Sequence, residues 1–283
     1  MIHELPLERR TVHGRWSRDL APVLAIDPGD SVRFATLSIF WWHERGEPFA
    51  ERAPDDGHAL IGPIEVRGAR AGATLSVRID EVDPGPWGVT LTREPHTIDW
   101  ELGDGFGRAS TGHMATLAPF LGVIGMPPDE PGTHSTEPPR ASGGNIDCKE
   151  LVAGTTLYLP IPVDGALLSA GDAHALQGDG EVSGTAIETT AHVQLTVDVH
   201  DDLELDWPIA RTGDAWLTFG FDRDLDHAVE IALAGMLQLL QREHRLSPED
   251  ALGLASVAVD LRVTQVVNDV KGVHAVLRDD ALV

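Results

Sequence analysis

A mainly β fold is what this sequence predicts: a sandwich or barrel-like core of several antiparallel strands, followed by a small C-terminal α+β part. Three observations lead there. Gly (29) and Pro (19) are abundant among the 283 residues, as a chain with many tight turns requires. Several short segments alternate apolar and polar residues with the period of two that a half-buried strand imposes. Clear helical periodicity is confined to the stretch after residue 222. We therefore set a β-rich core at 1–221 and an α+β part packed on it at 222–283.

The first third reads as strands joined by tight turns. Ala21 to Ile26 is an apolar run that stops at Asp27-Pro28-Gly29-Asp30, whose Pro and Gly suit consecutive turn positions. Ser31 to Thr36 then alternates, with Val32 and Phe34 on one face. Gly72 to Ile79 repeats the device with Leu75, Val77 and Ile79, and Gly154 to Leu159 repeats its offsets. Such repetition is expected either from a duplicated β unit or from the generic way of entering a strand. Phe40-Trp41-Trp42, Trp87 and Trp100 read as packing anchors, with a pocket wall as the alternative. Residues 80–116 are expected to be loop-rich. Residues 125–144, with five prolines and four glycines, form a long irregular connection, ordered because the apolar run Phe120 to Ile124 precedes it.

Later in the chain, His192 to Val199 alternates cleanly and Ala215 to Gly220 reads as a strand. A helix is expected over Leu225 to His244, with apolar residues at i, i+3/i+4 spacing and Asp222, Asp224 and Asp226 toward its positive N-terminal end. A second helix starts at Ser247-Pro248-Glu249-Asp250, a cap followed by a first-turn proline and an acid. Two strands, Arg262 to Val267 and Val273 to Leu277, complete the pattern.

With 21 Lys+Arg against 45 Asp+Glu, the formal charge is −24. That argues against nucleic acid and anionic membranes as partners, because phosphate neutralisation needs basic patches. The single cysteine, Cys148, allows no intrachain disulfide. Residues 1–8 lack a basic then apolar leader pattern, and the longest apolar run, Ile231 to Leu240, is too short to span a bilayer. A cytoplasmic location is expected, with exposed strand edges covered by self-association into a dimer or larger homo-oligomer.

The residues that carry chemistry concentrate in one place. Gly143-Gly144-Asn145-Ile146-Asp147-Cys148-Lys149-Glu150 is followed by Gly171-Asp172-Ala173-His174 and by Gly178-Asp179-Gly180-Glu181. Glycines bracketing carboxylates and a histidine cost folding free energy, since Gly loses most backbone entropy and clustered anions repel. A chain tolerates this where a cation or a reaction needs it. On strands, residues two apart share a face, so Asp172 with His174, Asp179 with Glu181 and Asn145 with Asp147 would point together. Taken singly, His174 could be a satisfied core histidine, Asn145 a turn residue, and Gly178-Asp179-Gly180 simply a turn.

These segments resemble the acetamidase/formamidase family. The likeness runs through His134-Ser135-Thr136, Gly143 to Leu151, Gly154 to Pro160 and Gly171 to Val182. It extends upstream through Gly57 to Ile64 and downstream through Thr264 to Asn268. Two positions depart from the family pattern: Arg140-Ala141-Ser142 stands where a histidine is expected, and Gly72-Ala73 where Gly-Asp is usual. The resemblance implies a β-rich fold and metal-associated hydrolysis of short aliphatic amides to carboxylate and ammonia.

Amide hydrolysis needs an activated nucleophile, a polarised carbonyl and an acid for the departing nitrogen, and a divalent metal provides the first two. The expected ligands are His58, Asp147, Asp172, His174 and Asp179, a histidine and carboxylate set that favours zinc. Oxygens such as those of Asp179 and Glu181 would also suit an additional calcium. Glu181 is the expected general acid/base, with Asp147 also catalytic, and Asn145 would orient the amide or polarise its oxygen. Cys148 reads as a buried structural thiol, since nearby carboxylates oppose thiolate formation. Two other readings stay open. One is a catalytically silent sandwich that binds a small polar ligand or cation; the other is a hydrolase for a larger or cyclic amide, with Phe40 to Trp42 setting pocket size.

Overall fold

The structure, a computed structural model, describes residues 1–92 and 96–282. Two sheets form the core. The nine-stranded sheet runs in the order Ile2–Glu4, Ser31–Ala35, Ala191–His200, Thr74–Pro84, Thr156–Pro160, Ile209–Arg211, Ala215–Asp222, Lys271–Arg278, Val259–Gln265. The second sheet has eleven strands. Its central strand, Leu168–His174, pairs with Phe120–Gly125, Glu188–Thr189 and Leu60–Val66. Neither strand order returns to its start, so this is a sandwich of open sheets and the barrel-like variant of the expectation is not realised.

The alternation read from the sequence decides which side chains meet between the sheets. Val32, Phe34, Leu75, Val77, Ile79 and Leu195 line the inner face of one sheet, and Ile61, Ile64, Leu121, Ile124 and Leu168 that of the other. Each such side chain contributes about 2 kcal/mol by leaving water. The glycine-entered segments all become strands of the same sheet, and two of them pair directly, Leu157 opposite Val77 and Leu159 opposite Leu75. Trp41 is a packing anchor, buried with its indole Nε1–H donating to the Gly57 carbonyl at 2.9 Å.

The expectation of a loop-rich stretch at 80–116 is corrected. Thr74–Pro84, Trp87–Leu91, Thr97–Gly103, Phe106–Ala109 and Met114–Thr116 are strands, and residues 93–95 lie outside the described set. Ile98, Trp100 and Leu102 do alternate, but Thr97, Asp99 and Glu101 face solvent and hide the period behind polar character. The irregular segment at 125–144 is ordered as expected: Trp16 and His134 exchange backbone hydrogen bonds at 3.0 and 2.8 Å.

Helix α1 spans Leu225–His244 and α2 spans Pro248–Ala258. Asp224 and Ser247 cap them by accepting from the Asp226 and Asp250 amides. Ala228, Ala232, Met236, Leu239 and Leu240 bury one face of α1 against Val273, Ala275 and Leu277. Among the described residues no helix is long and apolar enough to cross a membrane.

Close approach of α1 to the sheet depends on Gly220, where an added Cβ would lie 2.1 Å from the Ala228 carbonyl oxygen and 2.6 Å from the Ala232 nitrogen. Both are backbone atoms, which cannot swing aside. Gly220→Ala is therefore expected to lower stability by about 3 kcal/mol, the upper part of the range for overpacking. Urea unfolding checks this; an unchanged midpoint would show that the helix does not rest on this strand as described.

Candidate active site

Strand geometry builds the site from its floor. Gly122 occupies the middle of Phe120–Gly125, whose pairing with Leu168–His174 runs Leu121 opposite Ala173 and Val123 opposite Gly171. An added Cβ on Gly122 would lie 2.5 Å from Asp172 Oδ2, 2.7 Å from Asp147 Oδ1 and 2.8 Å from His174 Cε1. Three chemically reactive side chains thus converge on the space a side chain would fill. The Gly122 carbonyl also accepts the Asp147 N–H at 3.2 Å. A glycine inside a strand often marks close approach of this kind.

Asp147, His174 and Glu181 each offer a ligand atom within 4.8 Å of the others, as do Asp172, His174 and Glu188. His174 Nε2 is 3.3 Å from both Asp172 Oδ2 and Glu188 Oε2. The His174 ring stands edge-on to Phe120, with centroids 5.0 Å apart. His58 approaches from a separate segment, its Nε2 3.9 Å from Asp172 Oδ2. Thr136 Oγ1 fixes His58 by contacts of 2.8 Å to its backbone nitrogen and 2.9 Å to Nδ1.

Asp147, Asp172 and Glu181 all have left-handed backbones, with φ of 53°, 59° and 45°. For a non-glycine residue this costs on the order of 1 kcal/mol or more, and it persists only where surrounding contacts hold it. Those contacts are present. Asn268 Nδ2 donates to Asp147 Oδ2 at 2.8 Å, and Gln177 Nε2 donates to the Asp147 carbonyl at 2.7 Å. Gly180, next to Glu181, pairs in parallel with Gln265.

Burial raises Asp147 well above the usual carboxylate range, and Glu181 pushes it further. Glu181 itself is pushed up to about 8, first by burial and then, against the opposing pull of His174, by Glu188 and Asp172. At His174, burial favours the neutral ring, but Glu188 and Asp172 outweigh it and raise the imidazole well above its ordinary value. Burial works to raise Asp172 as well, yet His174 and His58 hold it below the ordinary range. The carboxylates find histidine as their ion-pair partner: Asp172 with His58 and His174, Glu188 with His174. Asp147 Oδ1, Asp172 Oδ1, Glu188 Oε2 and His174 Nδ1 are buried without a hydrogen-bond partner among the described residues. Buried carboxylate oxygens without a partner are costly in a dry interior, and a divalent cation is a species whose charge and coordination would satisfy them. The donor set fits such an ion.

Of the residues expected from sequence, His58, Asp147, Asp172, His174 and Glu181 are brought together. Asp179 is not: its carboxylate pairs with Lys149 at 2.9 Å. The same-face argument fails for Asp179 and Glu181 because they lie in a loop with left-handed Glu181, not on a strand. Asn145 is buried, with Nδ2 donating to the Glu137 carbonyl at 3.0 Å and Oδ1 without a hydrogen-bond partner among the described residues. Arg140, at the departing position, is spent on the loop, donating to the Pro138 and Ser135 carbonyls at 2.9 and 2.8 Å. Sequence reasoning missed Glu188, whose neighbours Ile187 and Thr189 mark only a strand. It missed Gly122 too, although a glycine within Phe120 to Ile124 was the available signal.

Comparison with known proteins identifies the family. The family model described as "Acetamidase/Formamidase family" matches residues 3–110 and 129–277. The acetamidase of Mycolicibacterium smegmatis is 45% identical over 268 residues, covering 66% of this chain and 65% of that protein. The chain spans between 60% and 65% of the length of the curated relatives it matches. Among solved structures, an acetamidase from Bacillus halodurans superposes with a TM-score of 0.88 at 30% identity, covering 97% of each chain. An acetamidase from Yersinia enterocolitica gives 0.90 at 26% identity, covering 100% of this chain and 93% of that one. The family model covers well over half of the chain, including Asp147, Asp172, His174, Glu181 and Glu188, and on it the chain belongs to the acetamidase/formamidase family.

Proposed function

We propose that this chain is a metal-dependent amidohydrolase that cleaves a short linear amide, of the formamide or acetamide type, to carboxylate and ammonia. The observation that carries the reading is a buried ring of Asp147, Asp172, Glu181 and Glu188 around His174, with acceptor atoms left unpaired. Family membership and the names of the relatives point to the same chemistry. Asp147, Asp172, His174 and Glu188 would hold the cation, with His58 at the edge; imidazole among carboxylates favours zinc. Such a cation supplies an acidified water and a polarised amide carbonyl.

The remaining work falls to the chain itself. In the metal-free chain burial and the neighbouring carboxylates push Glu181 up to about 8, and beside the cluster it is the carboxyl group suited to carrying a proton to the leaving nitrogen. The free group of Asn145 is Oδ1, an acceptor. It therefore suits an amide N–H, and orienting the substrate is the better of the two roles considered for it. The left-handed backbones at Asp147, Asp172 and Glu181 aim the carboxylates inward before substrate arrives, so less reorganisation is left for the reaction.

Ammonia release from formamide and acetamide should be abolished by a chelator and restored by a divalent metal. Release that survives thorough metal removal would defeat the metal assignment, and metal retained with no turnover of any short amide would leave the silent binder. Glu181→Gln should lower kcat by roughly 10²- to 10⁴-fold with little change in KM; unaltered kcat would remove Glu181 from the proton transfer. Gly122→Ala should weaken metal affinity by roughly 10- to 100-fold, measured by competition with a chelating dye, and wild-type affinity would show that the floor is not there.

The metal-free protein offers a pH test. Glu181 has its folded pKa raised from 4.5 to about 8, so between those values the folded state holds a proton that the unfolded state has lost. Its contribution to stability is full below pH 4.5 and disappears as pH rises toward 8. Glu181→Gln should flatten that part of the profile in urea titrations, and an unchanged slope would contradict the shift.

A further inference from the structure

The loop that brings Asp147 into the active site sends the next residue elsewhere. Cys148 is fully buried, with Sγ 3.2 Å from Glu150 Oε2. Opposite it stands His274, on the strand Lys271–Arg278 and also fully buried. Cys148, Glu150 and His274 each place one ligand atom within 4.8 Å of the others.

The surroundings prepare these atoms. Thr264 Oγ1 lies 2.8 Å from His274 Nδ1. With Nδ1–H donating there, Nε2 presents its lone pair to the cluster. Nε2 has no hydrogen-bond partner among the described residues, and stands 3.5 Å from Glu150 Oε2. Arg262 Nη1 donates to Glu150 Oε1 at 2.8 Å, which occupies one carboxylate oxygen and turns the other inward. An outer partner that fixes a histidine through its second nitrogen, and a carboxylate through its second oxygen, is the usual support of a metal ligand.

We infer that Cys148 Sγ, Glu150 Oε2 and His274 Nε2 form a second metal site, for a thiophilic divalent cation such as zinc. Sulfur with imidazole excludes calcium and magnesium as natural occupants. Thiolate and carboxylate bring two negative charges to the ion, one of them shared with Arg262, and the thiol proton is released on binding. The role is structural. The ion would join the Asp147 loop to the C-terminal strand pair, Val259–Gln265 and Lys271–Arg278. The turn between those strands carries Asn268, whose side chain holds Asp147 Oδ2. The inference rests on no part of the amidase reading, and its test does not use turnover.

Because Cys148 is the only cysteine, any metal–thiolate bond in the chain must be made by it. The full-length protein loaded with zinc should show a sulfur neighbour at about 2.3 Å in X-ray absorption. Loaded with cobalt, it should show a thiolate-to-metal charge-transfer band and bind one equivalent more than Cys148→Ser. His174→Gln, which alters only the first site, should keep the band; His274→Gln should weaken the metal that gives it by at least roughly tenfold. No sulfur shell in the wild-type protein, or equal metal content in wild type and Cys148→Ser with both folded by circular dichroism, would overturn the site. The X-ray absorption result decides the matter even if the variants fail to fold.

Discussion

Packing Asp147, Asp172, Glu181 and Glu188 around a single imidazole, with almost no access to water, sets up a repulsion that the rest of the fold has to contain. Coulomb interactions between like charges strengthen as the dielectric falls, so the cluster cannot be held by flexible loops alone. Two strands of the eleven-stranded sheet provide the rigid part: Leu168–His174 supplies Asp172 and His174, and Phe120–Gly125 supplies the gap at Gly122. Charge redistribution does the rest. Asp147 and Glu181 are driven toward their protonated forms while Asp172 and His174 are driven toward ionisation. A cation with empty coordination positions would replace that compromise with a direct electrostatic solution.

The C-terminal part takes a share in this. Its strand Lys271–Arg278 pairs along Ala215–Asp222, extending the nine-stranded sheet. From this pair of strands, Gln265 lies beside Gly180, and Asn268 reaches Asp147. Part of the support of Asp147 and Glu181, two of the three left-handed carboxylates, is thus supplied from about a hundred positions further along the chain. Cys148 and His274 mark a second contact between the same two regions.

Much of this was legible in the sequence, for physical reasons that differ by element. The helix Leu225–His244 and the Ser247 cap were readable because one-sided burial imposes its period and a cap needs a particular side chain. The alternating strands Ser31–Ala35 and Ala191–His200 were readable for the same reason. The strands within 80–116 were hidden by polar outer faces. At the site, Asp172 and His174 followed from strand periodicity, but Asp179 did not, because that argument lapses in a loop. Glu188 arrives by sheet pairing opposite His174, a long-range register that no local spacing announces.

The central claim is that the Asp147, His174 and carboxylate cluster is a cation site in the working protein. Anomalous diffraction from crystals of the purified, metal-replete chain tests it most directly. The account predicts a peak within bonding distance of His174 and at least two of the carboxylates Asp147, Asp172 and Glu188. A fully active preparation whose crystals show no anomalous density at that cluster would contradict it.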